Sequence, residues 1–142
     1  MIPKNAVIGL IGSLRERYSK FLEKELKACG IQGMVGSHGA IFGCLYQNNG
    51  QMKVLEIAKQ IGRSKSTVTG LVNKLESLGY VTKTNCCVDG RCTYVRLTDK
   101  GKAVRKDFDA ISKRLIERAY KGFAEEEKEA LMAALEKMCR NF

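Results

Sequence analysis

Six cysteines and one histidine have the widest chemical range in this 142-residue chain, since a thiolate can attack, ligate or be oxidised and an imidazole can move protons near neutral pH. Their spacing narrows that range. Cys86, Cys87 and Cys92 form a C-C-x4-C group with no evident fourth ligand, which is not a spacing of structural zinc sites, and no metal or other cofactor is expected. With His38 as the only histidine, and no paired-carboxylate motif, phosphate loop or nucleophile elbow, the chain lacks an acid, base and nucleophile constellation and does not read as an enzyme. What remains is contact chemistry. Ser66, Thr67, Thr69 and Asn73 are compact hydrogen-bonding groups, Lys74 adds a cation, and Gly70 between them offers no obstruction to a close partner.

Positioning such a set requires a helix with a buried opposite face, and residues 64–78 supply one. Ser64 is a candidate N-cap for the amides of Ser66 or Thr67. Val68, Leu71, Val72, Leu75 and Leu78 then recur at helical spacing and form one apolar stripe, leaving Ser66, Gly70, Asn73, Lys74 and Ser77 opposite with Thr67 and Thr69 on the flanks. A preceding helix carries Val54, Leu55, Ala58 and Ile61 and stops at Gly62, so only Arg63 separates it from the next cap. So short a connection suits two helices that cross steeply. After them, Val81 and Tyr94-Val95-Arg96-Leu97 read as strands around Asp89-Gly90, a strong hairpin signal. Helix, helix and β-wing in that order describe a winged helix-turn-helix, a unit that binds duplex DNA.

The string LEIAKQIGRSKSTVTGLVNKLESLGYV, the wing DGR and the LTDKG that opens the next helix resemble the MarR family of bacterial winged-helix transcriptional regulators. The resemblance is dense over residues 52–102, and the remaining helices agree in order and length. It implies a homodimer built from N- and C-terminal helices, a recognition helix in each major groove and a wing in the adjacent minor groove, with Asp89 orienting Arg91. Effector pockets are implied where the dimer helices meet the DNA module, which makes Tyr18, His38 and Tyr46 candidate lining groups. The same residues also read as ordinary core or exposed groups. Two departures stand out: Gly70 replaces an arginine common in relatives, and Asn85-Cys86-Cys87-Val88 replaces charged residues and proline in the wing.

Charge agrees with a polyanionic partner. The chain has 25 Lys and Arg against 15 Asp and Glu, a net charge of +10. Eleven basic and four acidic residues fall within 51–105, so most of the excess lies on the winged unit. Arg63, Lys65 and Lys83 are candidate phosphate contacts, and Arg91 suits a narrow minor groove.

Outside the winged unit, two long apolar stripes lack a visible cover. Residues 4–28 read as a helix with Val7, Ile8, Ile11, Leu14, Tyr18, Phe21, Leu22 and Leu26 on one side. Thr98 caps a helix that Ile111, Leu115, Tyr120 and Phe123 close, and Leu131, Leu135 and Met138 line a last helix whose acidic start and basic end follow the helix dipole. Stripes at both ends predict an intertwined homodimer, with mutual cover inside a monomer as the alternative. Between them, Ser37 reads as the N-cap of a helix bearing Ile41, Phe42, Leu45 and Tyr46 that ends at Asn48-Asn49-Gly50.

The expectation is one mostly α domain over 1–142 with a small β wing. Residues 36–100 form its DNA-binding lobe, and 1–35 with 101–142 form its dimerisation lobe. The absence of a membrane-length apolar run or a convincing signal peptide predicts a cytoplasmic protein. The function expected is a homodimeric repressor on a palindromic operator, relieved by a small molecule or by oxidation. A winged-helix module that binds another protein is the alternative, and Gly70 keeps it open. A cytoplasmic setting predicts reduced thiols. If Asp89-Gly90 is a two-residue turn, however, Cys87 faces Cys92 and the pair becomes a candidate redox element.

Overall fold

The computed structural model describes residues 1–31, 33, 34, 36–85 and 92–142. A 3-10 turn at Lys4–Ala6 leads into α1 (Val7–Ala28), α2 (Gly36–Gln47), β1 (Gln51–Lys53), α3 (Val54–Ile61) and α4 (Lys65–Ser77). The chain continues through β2 (Val81–Asn85), β3 (Thr93–Leu97), α5 (Asp99–Ala103), α6 (Arg105–Ala119) and α7 (Glu125–Arg140). The three strands form an antiparallel sheet in the order β1-β3-β2.

The core lies between α2, α3, α4 and the sheet. Ile41, Phe42, Leu45, Ile57, Val68, Val72, Leu75 and Val95 are fully buried. Phe42 stacks on Phe108 of α6 at 4.4 Å between ring centroids and meets the Tyr80 ring edge-on at 5.7 Å, geometries favoured by the aromatic quadrupole. Local signals act as expected at several ends. Ser64 Oγ accepts the Thr67 N–H at 3.2 Å, Gly62 closes α3 at φ 69°, and Thr98 Oγ1 accepts the Gly101 N–H at 3.2 Å. Asn49 (φ 58°) and Gly50 (φ 81°) turn the chain from α2 into β1 through consecutive left-handed residues.

Several expectations are corrected. β1 carries no strand signal of its own; pairing with β3 creates it, with buried Met52 opposite Val95. In α3 the inward positions are Val54, Ile57 and Ala58, while Leu55 is 52% exposed, because spacings of three and four return to the core face and a step of one does not. Ser37 lies inside α2 rather than capping it, and its hydroxyl accepts from Arg63 Nη2 at 3.2 Å. The helix that Thr98 caps breaks at Val104, leaving α5 seated against Tyr80 while Phe108 of α6 reaches Phe42. Tyr120 and Phe123 lie beyond the end of α6 and pack ring against ring at 5.6 Å.

The wing tip, with its predicted Asp89-Gly90 turn, Arg91 and Cys87, lies outside the described residues. A two-residue turn there would place Asn85 opposite Tyr94, whereas the ladder pairs Asn85 with Thr93. This one-residue offset matters because successive strand side chains take opposite faces.

Candidate nucleic-acid interface

The recognition surface starts from the anchoring of α4. Val68, Val72 and Leu75 are fully buried, which fixes the rotation of the helix and turns Ser66, Thr67, Gly70, Asn73 and Lys74 outward. Thr69 is half-buried and its hydroxyl bonds back to the Lys65 carbonyl at 2.9 Å, so it is less available to a partner than the sequence suggests. At the N-terminus of α4, Ser64 Oγ also donates to Thr67 Oγ1 at 2.9 Å and lies 3.2 Å from Ser66 Oγ. A cluster of hydroxyls thus sits where the helix dipole is positive, the end that favours negative charge.

The wing strand is tied to this helix by Lys83. Its ammonium donates to Asn73 Oδ1 and lies 3.7 Å from Glu76 Oε1, while its backbone N–H donates to Glu76 Oε2 at 3.0 Å. Lys83 therefore sits between the two proposed DNA-reading elements. The bond commits the oxygen of the Asn73 amide and leaves its N–H groups as that side chain's remaining capacity. A cleft of about 120 Å³ continues along this seam, lined by Lys65, Thr69, Lys83, Asn85 and Thr93 above Val54 and Val72. Two cations at one narrow seam suit an anionic backbone passing between helix and wing.

Lys74 points elsewhere. A Cβ added to Gly33 would lie 3.6 Å from Lys74 Cε, placing that side chain along the connection between α1 and α2. Arg63 is likewise held at Ser37 near the start of α2. Both are exposed cations on the same side chains as expected, but only Lys65 and Lys83 line the seam. Asp89 and Arg91 lie outside the described residues.

Supports behind the interface were not evident from the motifs. Thr98 Oγ1 donates to the Gly79 carbonyl at 2.6 Å, and Lys100 Nζ donates to the Leu78 carbonyl at 2.7 Å while resting 4.4 Å from the Tyr80 ring centre. These bonds satisfy carbonyls at the end of α4 and tie it to α5. Arg96 of β3 makes two bonds to Gln51 Oε1, at 2.6 and 3.0 Å, across the other sheet edge. The LTDKG string carried the signal for Thr98 and Lys100, but not their role as supports.

Among the described residues, the candidate effector groups Tyr18 and Tyr46 line separate spaces. Tyr18 lines a space of about 500 Å³ between α1 and α6, with Leu14, Phe21, Leu115 and Arg118. Tyr46 lines a separate space of about 330 Å³ beside Arg105, and its hydroxyl donates to the Gly101 carbonyl at 2.7 Å. Burial is the main reason that its acidity is suppressed, with Asp109 adding to the effect. His38 is buried, at 4% exposure. A third space, of about 230 Å³, lies between α1, α2 and α6 against Leu22, Leu26, Phe108, Ile111 and Leu115.

The cysteines divide. Cys29 and Cys139 are exposed free thiols, and Cys44 is a free thiol whose acidity burial lowers. Cys92, next to β3, is disulfide-bonded, which corrects the expectation of reduced thiols throughout. Its partner, and with it the predicted pairing to Cys87, lies outside the described residues. Among the described residues, no group of His, Cys, Asp or Glu is arranged to hold a metal, and no helix is long and apolar enough to cross a membrane.

The combination of capped α4, a strand pair tied to it and flanking helices recurs in known proteins. The sequence model of the MarR family matches residues 38–93. The chain superposes on a MarR protein from Peptoclostridium difficile with TM-score 0.84 and 25% identity, covering 99% of this chain and 92% of that one. This chain belongs to the MarR family. It is also similar to the Bacillus subtilis HTH-type transcriptional regulator YfiV, at 31% identity over 68% of this chain. That match spans 60% of the length of YfiV. A Staphylococcus aureus MepR–DNA complex shares the fold with TM-score 0.83 and 22% identity, covering 100% of both chains.

Proposed function

We propose that this MarR-family chain is a sequence-specific duplex DNA-binding repressor that acts as a homodimer on a palindromic operator. The observation that carries the reading is the outward polar face of α4 joined through Asn73–Lys83 to the wing strand, beside a seam lined by Lys65 and Lys83. Ser66, Thr67, Gly70 and Asn73 face the major groove, Lys65 and Lys83 take phosphates, and Asp89 with Arg91 forms the minor-groove element. The DNA lobe is 36–100, with 1–35 and 101–142 as the dimerisation lobe. In support of dimerisation, Ile8, Leu10, Leu14 and Ile116 are about half exposed or more, and no residue of α7 is buried. The relief signal is a small molecule, for which the apolar space between α1, α2 and α6 is the pocket. The test is binding to an operator selected from a random duplex pool. If the dimer neutralises about eight phosphates, log affinity falls against log salt with a slope near roughly −7, and half-sites lie about 10 base pairs apart. A slope near zero overturns the reading in favour of a protein-interaction module.

The disulfide at Cys92 favours a second, oxidative input. Cys86 and Cys87 are the two candidate partners in the sequence. Peroxide or a disulfide oxidant would then take two electrons and two protons from the thiols and change the twist of the hairpin carrying Arg91. Peptide mapping after oxidation, with Cys86→Ser, Cys87→Ser and Cys92→Ser compared for operator affinity, identifies the pair. An unchanged response in all three variants removes the wing from redox control.

A further inference from the structure

Lys83 does more at the seam than carry charge. Its ammonium donates to Asn73 Oδ1 and lies 3.7 Å from Glu76 Oε1, and its backbone N–H donates to Glu76 Oε2 at 3.0 Å. Asn73 and Glu76 are three residues apart on α4 and share one face, so a single residue of β2 grips the helix at two neighbouring turns. Strand alternation puts it there. Lys83 pairs with Val95 on the side of the sheet that carries buried Val81 and Leu97, whereas Thr82 and Thr84 take the other side and are exposed.

The consequence falls on Asn73. An ammonium has three donors and no acceptor, so the carboxamide can meet it only through oxygen, and that fixes which way the amide is turned. Asn73 is exposed on the outward face of α4, one turn after Gly70. What it offers a partner is its pair of amide N–H donors. The oxygen keeps a second lone pair, but a positive charge sits beside it and repels the hydrogens of an approaching amine. A free asparagine in a major groove pairs with adenine, accepting from N6 while donating to N7. Here the accepting half is taken. Guanine presents two acceptors on that edge, O6 and N7, whereas thymine presents one and cytosine presents a donor.

We infer that Lys83 is a positioning residue that makes Asn73 a donor-only reader, selecting guanine where an unheld asparagine would select adenine. This base choice rests on the placement of α4 in a major groove and deepens it by naming the base. Lys83 needs no base contact of its own, and a remaining N–H stays available to a phosphate.

The test compares the sequences retained from a random duplex pool by the wild type, Asn73→Ala, Lys83→Met and Lys83→Arg. The base pair at which Asn73→Ala loses its preference marks the Asn73 contact. There the wild type should favour guanine over adenine by about tenfold. Lys83→Met, which keeps the length and removes the donors, should shift that ratio toward adenine by about tenfold or more, and Lys83→Arg, which keeps donors, should retain guanine. Loss of a phosphate contact alone weakens all sequences evenly, so a change of base preference separates positioning from charge. In the protein without DNA, Lys83→Met should also move the side-chain amide NMR resonances of Asn73 with circular dichroism unchanged. The base choice is overturned if the wild type prefers adenine at that pair, if Asn73→Ala alters no base preference, if Lys83→Met leaves the preference as it was, or if the Asn73 amide resonances do not move. Failure of the DNA-binding reading looks different, since the wild type then retains no sequence and its binding does not depend on salt. The base choice falls with it, and a response of the Asn73 amide to Lys83→Met would leave only the hold between the two side chains standing.

Discussion

The winged lobe and the terminal helices solve the problem of burial differently. In α2, α3, α4 and the sheet, each element has fully buried side chains, and Phe42 alone meets three other rings. In α7 nothing is buried, and α1 leaves Ile8 at 65% and Leu14 at 48% exposure. Apolar surface at that density is ordinary only where a partner covers it. The first region buries its apolar side chains within the chain, while the second leaves exposed the apolar face that the proposed second copy would cover. Stability of the winged lobe should therefore respond to single atoms inside the chain, and that of the terminal helices to the presence of a second copy.

The largest effect on the first side is expected at Gly101. A Cβ there would lie 2.2 Å from the Tyr80 carbonyl oxygen and 2.9 Å from Leu97 Cδ2, and the first of these is backbone that already accepts the Thr98 N–H at 3.0 Å. Neither side can yield without separating α5 from the end of α4. Gly101→Ala should cost about 3 kcal/mol and lower Tm by about 10 °C. A thermal melt within a degree or two of the parent would mean that α5 is not clamped in this way.

Breaking the second side should do the reverse. Leu131 and Leu135, each a little over a third exposed, lie one helical turn apart on α7. Paired substitution by Asp places two charges on the proposed interface. Light scattering should then give a monomer, and operator affinity should fall by about 100-fold as the two half-sites cease to be linked. The tyrosine environment of the winged lobe should stay native. If the doubly substituted protein remains a dimer with normal affinity, α7 is not the interface.

The same contrast explains what could be read in advance. The cap at Ser64, the stop at Gly62 and the stripe of α4 are encoded by neighbours in sequence, so periodicity and end chemistry were enough to find them. β1 has three residues and exists because Met52 meets Val95, a pairing that no local window contains. Leu55 is apolar but out of phase with the core face of α3, and Ile57 is the inward residue. At the interface, outward polar positions on α4 were legible, but whether a long cation leans toward the wing, as Lys83 does, or toward Gly33, as Lys74 does, depends on the other elements. Tyr18, His38 and Tyr46 are grouped only by the junction that the family resemblance implies, and the fold puts Tyr18 and Tyr46 in separate spaces.

The smallest expected effect separates folding from recognition within a single residue. Gly70 sits in the middle of α4, exposed, with ordinary negative φ, and a Cβ built on it meets nothing within 4 Å. No turn or internal contact asks for glycine here. Its backbone freedom costs the helix about 1 kcal/mol relative to alanine, so Gly70→Ala should raise Tm by about 3 °C. A glycine also permits close approach of another molecule to the helix backbone, and this one lies one turn before Asn73 on the outward face. If a groove occupies that open space, the added methyl group should weaken operator binding by about tenfold even as the protein becomes more stable. Opposite signs for the melt and the binding titration would place Gly70 at the DNA. A gain in Tm with unchanged affinity would move the reading surface toward the N-terminus of α4, where the Ser64, Ser66 and Thr67 hydroxyls cluster.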